Sequence, residues 1–408
     1  MKSYQKTIDW LFEQFPSYQV IGSDAYKPTL DNIKEILDWA NHPEQGLKFI
    51  HVAGSNGKGS VCSIVASTLT EAGFKVGLFT SPHIKDFSER IRINGEPIEH
   101  DKVNSFVDKI QKHPLPFSPS FFEITFALAL EYFNEAECDI CVIETGLGGR
   151  LDATNIIHPI ISVITSISLE HTNILGNSIR EIAGEKAGII KENTPVVIGP
   201  LVKEAKNVIS DKAKQEQAAI FQASNNQVPK ELNNIFLANY QKENFQIARE
   251  ALGQIHKDGF TSTPEDLIQG VIKISANTGY QGRLQIINEH PLTILDVSHN
   301  PAGFTSTFEA IEKVNKGDLR IIIGASSDKD LKEIIHTLPQ NANYYVTEFK
   351  NMRSASLHQL RHIFGQSNLE SIRYFKAPEK AFEVANFDAD QSDTILVIGS
   401  FFLLEHFF

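Results

Sequence analysis

The sequence predicts an α/β protein with mainly parallel, buried sheets, divided between two domains. Three observations carry that expectation. From about Leu47 onwards, short apolar β-branched runs alternate with segments of helical period. The strand-like runs are almost continuously apolar, as strands are when helices cover both faces of a sheet. At 408 residues the chain also exceeds the roughly 250 to 300 residues at which a single core stops growing.

The first strand–helix unit is the clearest. Phe49-Ile50-His51-Val52-Ala53 reads as a strand, a glycine-rich turn follows, and Ser60 to Ala72 places Val61, Ile64, Val65 and Leu69 on one helix face. Gly73 ends that helix and Val76-Gly77-Leu78-Phe79 supplies the next strand. Further strands are expected at 139–144, 160–166 and 195–199, with helices near 122–136 and 178–187.

A second alternation starts near Leu292: strand 292–297, helix 302–314, strand 319–325, helix 329–338, strand 343–347 and a last strand from Thr394 to Ile398. Between the two series, Gly279, Gly282 and Pro291 suit an interdomain connection over Tyr280 to Pro291. The domains are accordingly drawn as 1–284 and 285–408. The polar stretch from Asn225 to Asn234 reads as a surface loop.

A net formal charge of −12 disfavours non-specific binding to nucleic acid or acidic membranes, so an anionic ligand must be held by local cations, metal ions or backbone dipoles. No apolar signal core opens the sequence and no run approaches the roughly 20 apolar residues that span a bilayer. Only Cys62, Cys138 and Cys141 are available as thiols, which argues against a disulfide framework and for a reducing compartment. Cys138 and Cys141 have the spacing of a redox or metal pair, but beside a strand, residues three apart point to opposite faces, which favours burial as small hydrophobes. The expectation is a cytoplasmic enzyme.

Gly54-Ser55-Asn56-Gly57-Lys58-Gly59-Ser60 lies between a strand and a helix. Glycines there let backbone N–H groups approach phosphate oxygens, the helix N-terminus adds favourable dipole charge, and Lys58 would reach the β- and γ-phosphates. Gly59 stands where a serine or threonine normally meets Mg²⁺ in such loops. Another hydroxyl must serve. Ser60 could cap the helix or touch phosphate; Ser81, in Thr80-Ser81-Pro82-His83 after the second strand, is either a metal ligand or a plain Ser-Pro turn.

Glu144, ending an apolar strand in Glu144-Thr145-Gly146-Leu147-Gly148-Gly149-Arg150-Leu151-Asp152-Ala153-Thr154-Asn155, is a sensible hard-oxygen ligand for Mg²⁺, or a simple strand end. His171, in Ser168-Leu169-Glu170-His171-Thr172, could ligate a cation or be an ordinary polar residue. Lys186 sits among Ala183, Ala187 and Ile189, so its amine is either partly buried, with a lowered pKa, or a surface group pairing with Glu185 or Glu181.

The string His51 to Ser60 together with Thr80-Ser81-Pro82-His83 resembles the folylpolyglutamate synthase/dihydrofolate synthase family of the muramyl ligase superfamily, and the resemblance runs through most of the chain. Ser55 stands where that family usually has threonine, and Tyr280-Gln281 where it usually has Trp-Pro. The resemblance implies a P-loop NTPase-like first domain with a mainly parallel sheet and a smaller Rossmann-like α/β second domain. It implies ATP on Asn56, Gly57, Lys58, Gly59 and Ser60, with Asn244 at the adenine and Arg283 and Asp296 at the nucleotide. Ser81, Glu144 and His171 would hold metal, with two Mg²⁺ ions in all, and Lys186 would be carbamylated. Phe122 and Glu123 would contact the pterin, with Leu151, Asp152 and Ala153 beside it, and His299 would lie near the phosphates. Ser23 to Asn32 departs from the usual wording of a pterin-binding stretch, and Gly324, Asp328-Lys329-Asp330 and Gly399-Ser400 resemble the glutamate side of the second domain.

The activity so implied is ATP-dependent joining of L-glutamate to dihydropteroate or to folates, by a monomer whose partners are small molecules only. A ligase for cell-wall precursors is the enzymatic rival, against which the Ser81 loop and the 144–155 run argue. A non-catalytic nucleotide-binding protein is the rival from another class, and Lys58, Glu144, His171 and Lys186 together argue against it.

Overall fold

The computed structural model describes residues 3–17, 28–224, 227–233, 235–327 and 331–408. Two compact units result, one of residues 1–235 and 240–280 and one of 236–239 and 281–408. Part of Ser23 to Asn32 (23–27), the bounding Asn225 and Asn234, and Asp328, Lys329 and Asp330 lie outside the described residues. Among the described residues no helix is long and apolar enough to cross a membrane.

The first unit is built on eight strands: β1 Phe49–Ala53, β2 Val76–Phe79, β3 Ile91–Ile93, β4 Glu96–Pro97, β5 Ile140–Glu144, β6 Ile161–Ile164, β7 Val196–Ile198 and β8 Ile220–Gln222. Their order is β4-β3-β2-β5-β1-β6-β7-β8, parallel except at β2/β3 and β3/β4. β1 is central, with Val52 opposite Glu144 of β5 and Ala53 opposite Ile164 of β6. Every residue of β1, β2 and β5 is buried, which is why these runs show no polar alternation. The carboxyl ends of β2, β5, β1 and β6 therefore open side by side.

The helix Lys58–Glu71 follows β1 directly, and its residues Ser60 to Leu69 are all buried, as expected of a helix covered on every side. It starts two residues before the expected Ser60, with Gly57 as its N-cap. The helix Phe121–Glu135 is held at its start by a capping box, in which Ser120 accepts from the Glu123 N–H and Glu123 accepts from the Ser120 N–H. Its Phe126 and Phe133 are fully buried, and removing each such ring from water stabilises the fold by about 1.5–3 kcal/mol. The helix Ile179–Ala187, carrying Lys186, is capped by Ser178.

The second unit has six strands: β9 Gln285–Glu289, β10 Leu292–Asp296, β11 Leu319–Ile323, β12 Asn343–Thr347, β13 Ser371–Phe375 and β14 Thr394–Ile398. The order is β13-β12-β11-β14-β10-β9, with only β9 antiparallel. Here the sequence reading needs correction, because 285–289 is an edge strand rather than a connection. Its Ile286 and Ile287 are both exposed, so it lacks the buried face that betrays a strand in sequence. The division falls at Tyr280/Gln281.

The cysteines are buried, as the sequence reading favours, but the opposite-face argument for it needs correction. All three are buried and unpaired, but Cys138 and Cys141 are hydrogen-bonded to each other. Cys138 precedes the first residue of β5, so the alternation of a strand does not reach it. The bond from Cys141 draws the Cys138 thiol down, while burial pushes the Cys141 thiol up.

Candidate active site

The loop between β1 and the helix Lys58–Glu71 is pinned to the segment that follows β6. The Ser55 N–H donates to Ser166 O at 2.8 Å, the Asn56 N–H to Ser166 Oγ at 2.9 Å, and Ser168 N–H to Ser55 Oγ at 3.0 Å. Thr165 Oγ1 donates to Asn56 O at 2.6 Å. These bonds fix the loop in a shape that a free glycine-rich turn would leave to fluctuation. Gly57 has φ 87°, and a Cβ there would stand 2.3 Å from Asn244 Oδ1, so this position requires glycine and brings Asn244 against the loop. Asn244 itself lies inside the helix Asn239–Ile255, not at its start. Lys58 Nζ donates to Gly54 O at 2.9 Å.

Gly59 explains the missing hydroxyl of the loop. A Cβ there would be 3.5 Å from Glu144 Oε2, so the place a serine would occupy faces the carboxylate that ends β5. Glu144 is buried and its Oε2 accepts from the Ser81 N–H at 3.0 Å. Three positions far apart in sequence, 59, 81 and 144, thus meet at the strand ends. Ser60 is not the helix cap, a place taken by Gly57; its Oγ is 3.0 Å from Tyr280 Oη.

Lys186 is 1% exposed and its Nζ donates to Glu170 Oε1 at 2.7 Å. The alternative partners are engaged elsewhere: Glu185 with Arg150 at 2.8 Å, and Glu181 with Ser178 Oγ at 2.9 Å and the Asn177 N–H at 2.8 Å. The reading of Lys186 as a surface lysine is therefore overturned. Burial lowers the Lys186 pKa, with Glu170 opposing and Lys58 adding to the effect. Burial opposes ionisation of Glu170, yet Lys186, Lys58 and His171 outweigh it and hold the carboxyl at about 2. His171 is at φ 44° just before the short helix Thr172–Leu175. Lys58, Glu170, His171 and Lys186 thus form one electrostatic neighbourhood.

On the other flank, a Cβ on Gly146 would touch the Phe122 ring at 2.6 Å, so that half-buried ring lies against the loop after Glu144. Phe121 is buried and stacks on Phe12 with centroids 4.4 Å apart. Glu123 is buried, its Oε2 accepting from the Ser120 N–H at 2.6 Å; that oxygen serves the helix start. Asp152 is also turned into the fold, accepting from the Leu147 N–H at 2.7 Å and the Thr154 N–H at 3.0 Å. Leu151 is half-buried and Ala153 buried. The Arg150 N–H donates to Glu185 O at 2.7 Å, which staples this loop to the Lys186 helix.

In the second unit Asp296 ends β10 and accepts from the Leu284 N–H at 2.8 Å, the Ser298 N–H at 2.9 Å and Thr307 Oγ1 at 3.1 Å. Arg283 lies over the Phe401 ring at 5.0 Å, and the His299 ring is 6.0 Å from the same ring. Arg283, Asp296 and His299 are thereby gathered around the carboxyl end of β10. Gly324 and Gly399 also meet, since a Cβ on Gly399 would stand 2.2 Å from Gly324 O.

The Mur ligase middle domain matches residues 52–288, and the Mur ligase glutamate ligase domain matches residues 282–401. The chain belongs to the Mur ligase family. Within this family it is 31% identical over 409 residues to the dihydrofolate synthase/folylpolyglutamate synthase of Bacillus subtilis, covering 93% of this chain and 94% of that protein. The protein of the same name from Escherichia coli is 32% identical over 87% of this chain and 84% of its own length. A solved structure of E. coli FolC in complex with DHPP and ADP superposes with a TM-score of 0.84 and 28% identity over 99% of this chain and 96% of that one. The Yersinia pestis bifunctional folylpolyglutamate synthase/dihydrofolate synthase complexed with AMPPNP and Mn ion gives 0.81 and 29%, over 99% and 97%. As a Mur ligase family member of this group, the chain is an ATP-dependent ligase of glutamate.

Among the described residues no three His, Cys, Asp or Glu side chains form a ready-made metal cluster. The donor set nevertheless suits Mg²⁺, which is held by one or two carboxylates together with substrate phosphates and water; Glu144 and Ser81 offer a carboxylate and a hydroxyl beside the phosphate loop. Sequence reasoning gave no role to Glu170, Ser166 or Thr165. Glu170 directly precedes His171, but its pairing with Lys186 spans sixteen positions and carries no short-range signal.

Proposed function

We propose that the chain joins L-glutamate to dihydropteroate, to the glutamate tail of folates, or to both, with Lys58, Glu144 and Lys186 at the centre of the chemistry. The observation that carries this reading is the meeting of Gly59, Ser81 and Glu144 beside a pinned phosphate loop. A carboxylate resists attack by an amine, so it must first be activated. One of its oxygens attacks the γ-phosphorus of ATP, ADP leaves, and an acyl phosphate forms. The glutamate amine then attacks the acyl carbon, phosphate departs, and the nitrogen loses its proton as the amide forms.

Lys58 and the N–H groups at the helix start stabilise the charge that develops on the transferring phosphoryl group. Mg²⁺, held by Glu144, Ser81 and His171, would add electrostatic stabilisation of the phosphates. Lys186 is buried with a lowered pKa, which suits an amine that reacts with CO₂ to give the carbamate; that anion would serve a second Mg²⁺. Phe122 offers a ring face for a planar heterocycle, beside Leu151 and Ala153. Asn244 supports adenine binding, and Arg283, Asp296 and His299 serve the nucleotide from the 285–408 domain and its lead-in, a domain that also takes glutamate. The reading includes a monomer acting in the cytoplasm on small molecules.

The test is a product assay with ATP, labelled glutamate and either dihydropteroate or tetrahydrofolate, offered separately. Labelled product and ADP in at least one arm are expected, and Lys58→Ala should lower ADP formation by about 10³-fold or more. Unchanged turnover in that variant would remove Lys58 from the mechanism, and no product with either pterin would refute the proposed substrates.

A further inference from the structure

His51 sits in the middle of β1, the central strand of the first sheet, and is fully buried. Its Nε2 lies 2.8 Å from Thr154 Oγ1, while its Nδ1 has no hydrogen-bond partner. The Thr154 hydroxyl donates its proton to Asp152 Oδ1. A hydroxyl has one proton to give, so in this bond to His51 it must accept, and Nε2 must carry the hydrogen. A buried imidazole in such a place stays neutral; burial, then the charge of Lys191, draws its pKa down to about 3.

The chain of bonds runs on from Asp152. Its Oδ2 takes the Leu147 N–H at 2.7 Å, and the Gly146 N–H also bonds to this carboxylate. Those two residues form the turn directly after Glu144, against the Phe122 ring. The same strand that carries His51 ends two residues later and enters the phosphate loop. An apolar residue at 51 would satisfy β1 as a buried strand equally well. A polar one with an unmatched nitrogen carries a desolvation cost, which calls for a reason.

We propose that His51 is a positioning residue for the acid substrate: as its Nε2–H tautomer it orients Thr154 toward Asp152, and so fixes the Gly146–Leu147 turn that shapes the floor beside Phe122. This rests on the reading above, in which that turn borders the pterin. The phosphate loop is held independently by Thr165, Ser166 and Ser168, so the effect should be selective for one substrate.

The experiment compares His51→Gln, which keeps an N–H close to the Nε2 position, with His51→Leu, which keeps only bulk. His51→Leu should raise KM for the pterin by about tenfold, with KM for ATP changed less than about threefold, and His51→Gln should recover most of the loss. Independently, ¹⁵N NMR of the wild-type protein should show a protonated Nε2 and a bare Nδ1 at His51. A proton on Nδ1, an equal rise in KM for ATP, or no recovery in His51→Gln would overturn the proposal. Should His51→Leu fail to fold, the tautomer and the His51→Gln kinetics still decide it. Wild-type protein without turnover on either pterin would instead sink the substrate reading, leaving the tautomer result to stand or fall alone.

Discussion

The two units each bury an ion pair, and the pairs differ in where they stand on their sheets. Lys186–Glu170, at 2.7 Å, lies among loops and helices beyond the carboxyl ends of β1, β5 and β6. Arg320–Asp393, at 2.8 Å, lies at the opposite end of its sheet, since Arg320 is the second residue of β11 and Asp393 precedes β14. In open parallel sheets ligands bind at the carboxyl ends, so one pair stands at the end of its sheet where ligands bind and the other at the end where it can hold strands together.

Their protonation follows the same division. Burial lowers the Lys186 pKa despite Glu170. Arg320 goes the other way: burial opposes its charge, but the bonds to Asp393 and Tyr345 prevail and raise it. Both Nε and Nη2 of Arg320 donate to Asp393 Oδ2, at 3.2 and 2.8 Å, and Nη1 donates to Tyr345 Oη at 3.3 Å. A lysine so placed can give up its proton and react, whereas an arginine remains charged and braces its neighbours.

The sharpest test of this contrast is conservative exchange at each site. Lys186→Arg keeps a cation but removes the primary amine on which the proposed carbamate depends, and turnover should fall by about 10²-fold or more, measured as ADP release under saturating substrates. Retained activity would show that a charge alone suffices there. Arg320→Met should leave that turnover within about twofold and instead lower the unfolding free energy by about 3 kcal/mol, because Asp393 is left buried without its partner; denaturant titration reads this directly. A loss of activity without loss of stability would move the second pair from bracing to function.

A smaller effect concerns acid. The Glu170 carboxyl ionises at about 2 in the fold against an ordinary value of 4.5. Its contribution to stability is therefore complete above pH 4.5 and disappears as pH falls toward 2. Glu170→Gln should flatten that limb of the stability profile relative to wild type, and an unchanged acid limb would show that Glu170 does not carry it.

The strand, glycine-rich turn and helix of 49–71 were legible because β1 and its helix are separated only by a short turn whose glycines and lysine are local in sequence. Glu144 was legible for a similar reason, as a charge ending an apolar run. β3 and β4 escaped notice because runs of three and two residues are too short to display a period, and β9 because its faces are exposed. Glu123 was singled out by the resemblance alone, and the Ser120-x-x-Glu123 spacing of a capping box, which the fold uses, was visible in the same four residues.

The amino-acid sequence by itself determined the α/β class, the phosphate loop and the family, since these depend on neighbours within a few residues and on motifs of fixed spacing. Only the tertiary structure decided which charges meet. Glu144 faces Gly59, Lys186 faces Glu170, and His51 reaches Thr154 because parallel strands and the loops that follow them bring distant segments side by side. Such contacts are set by the packing of whole elements, and local patterning along the chain holds no record of them.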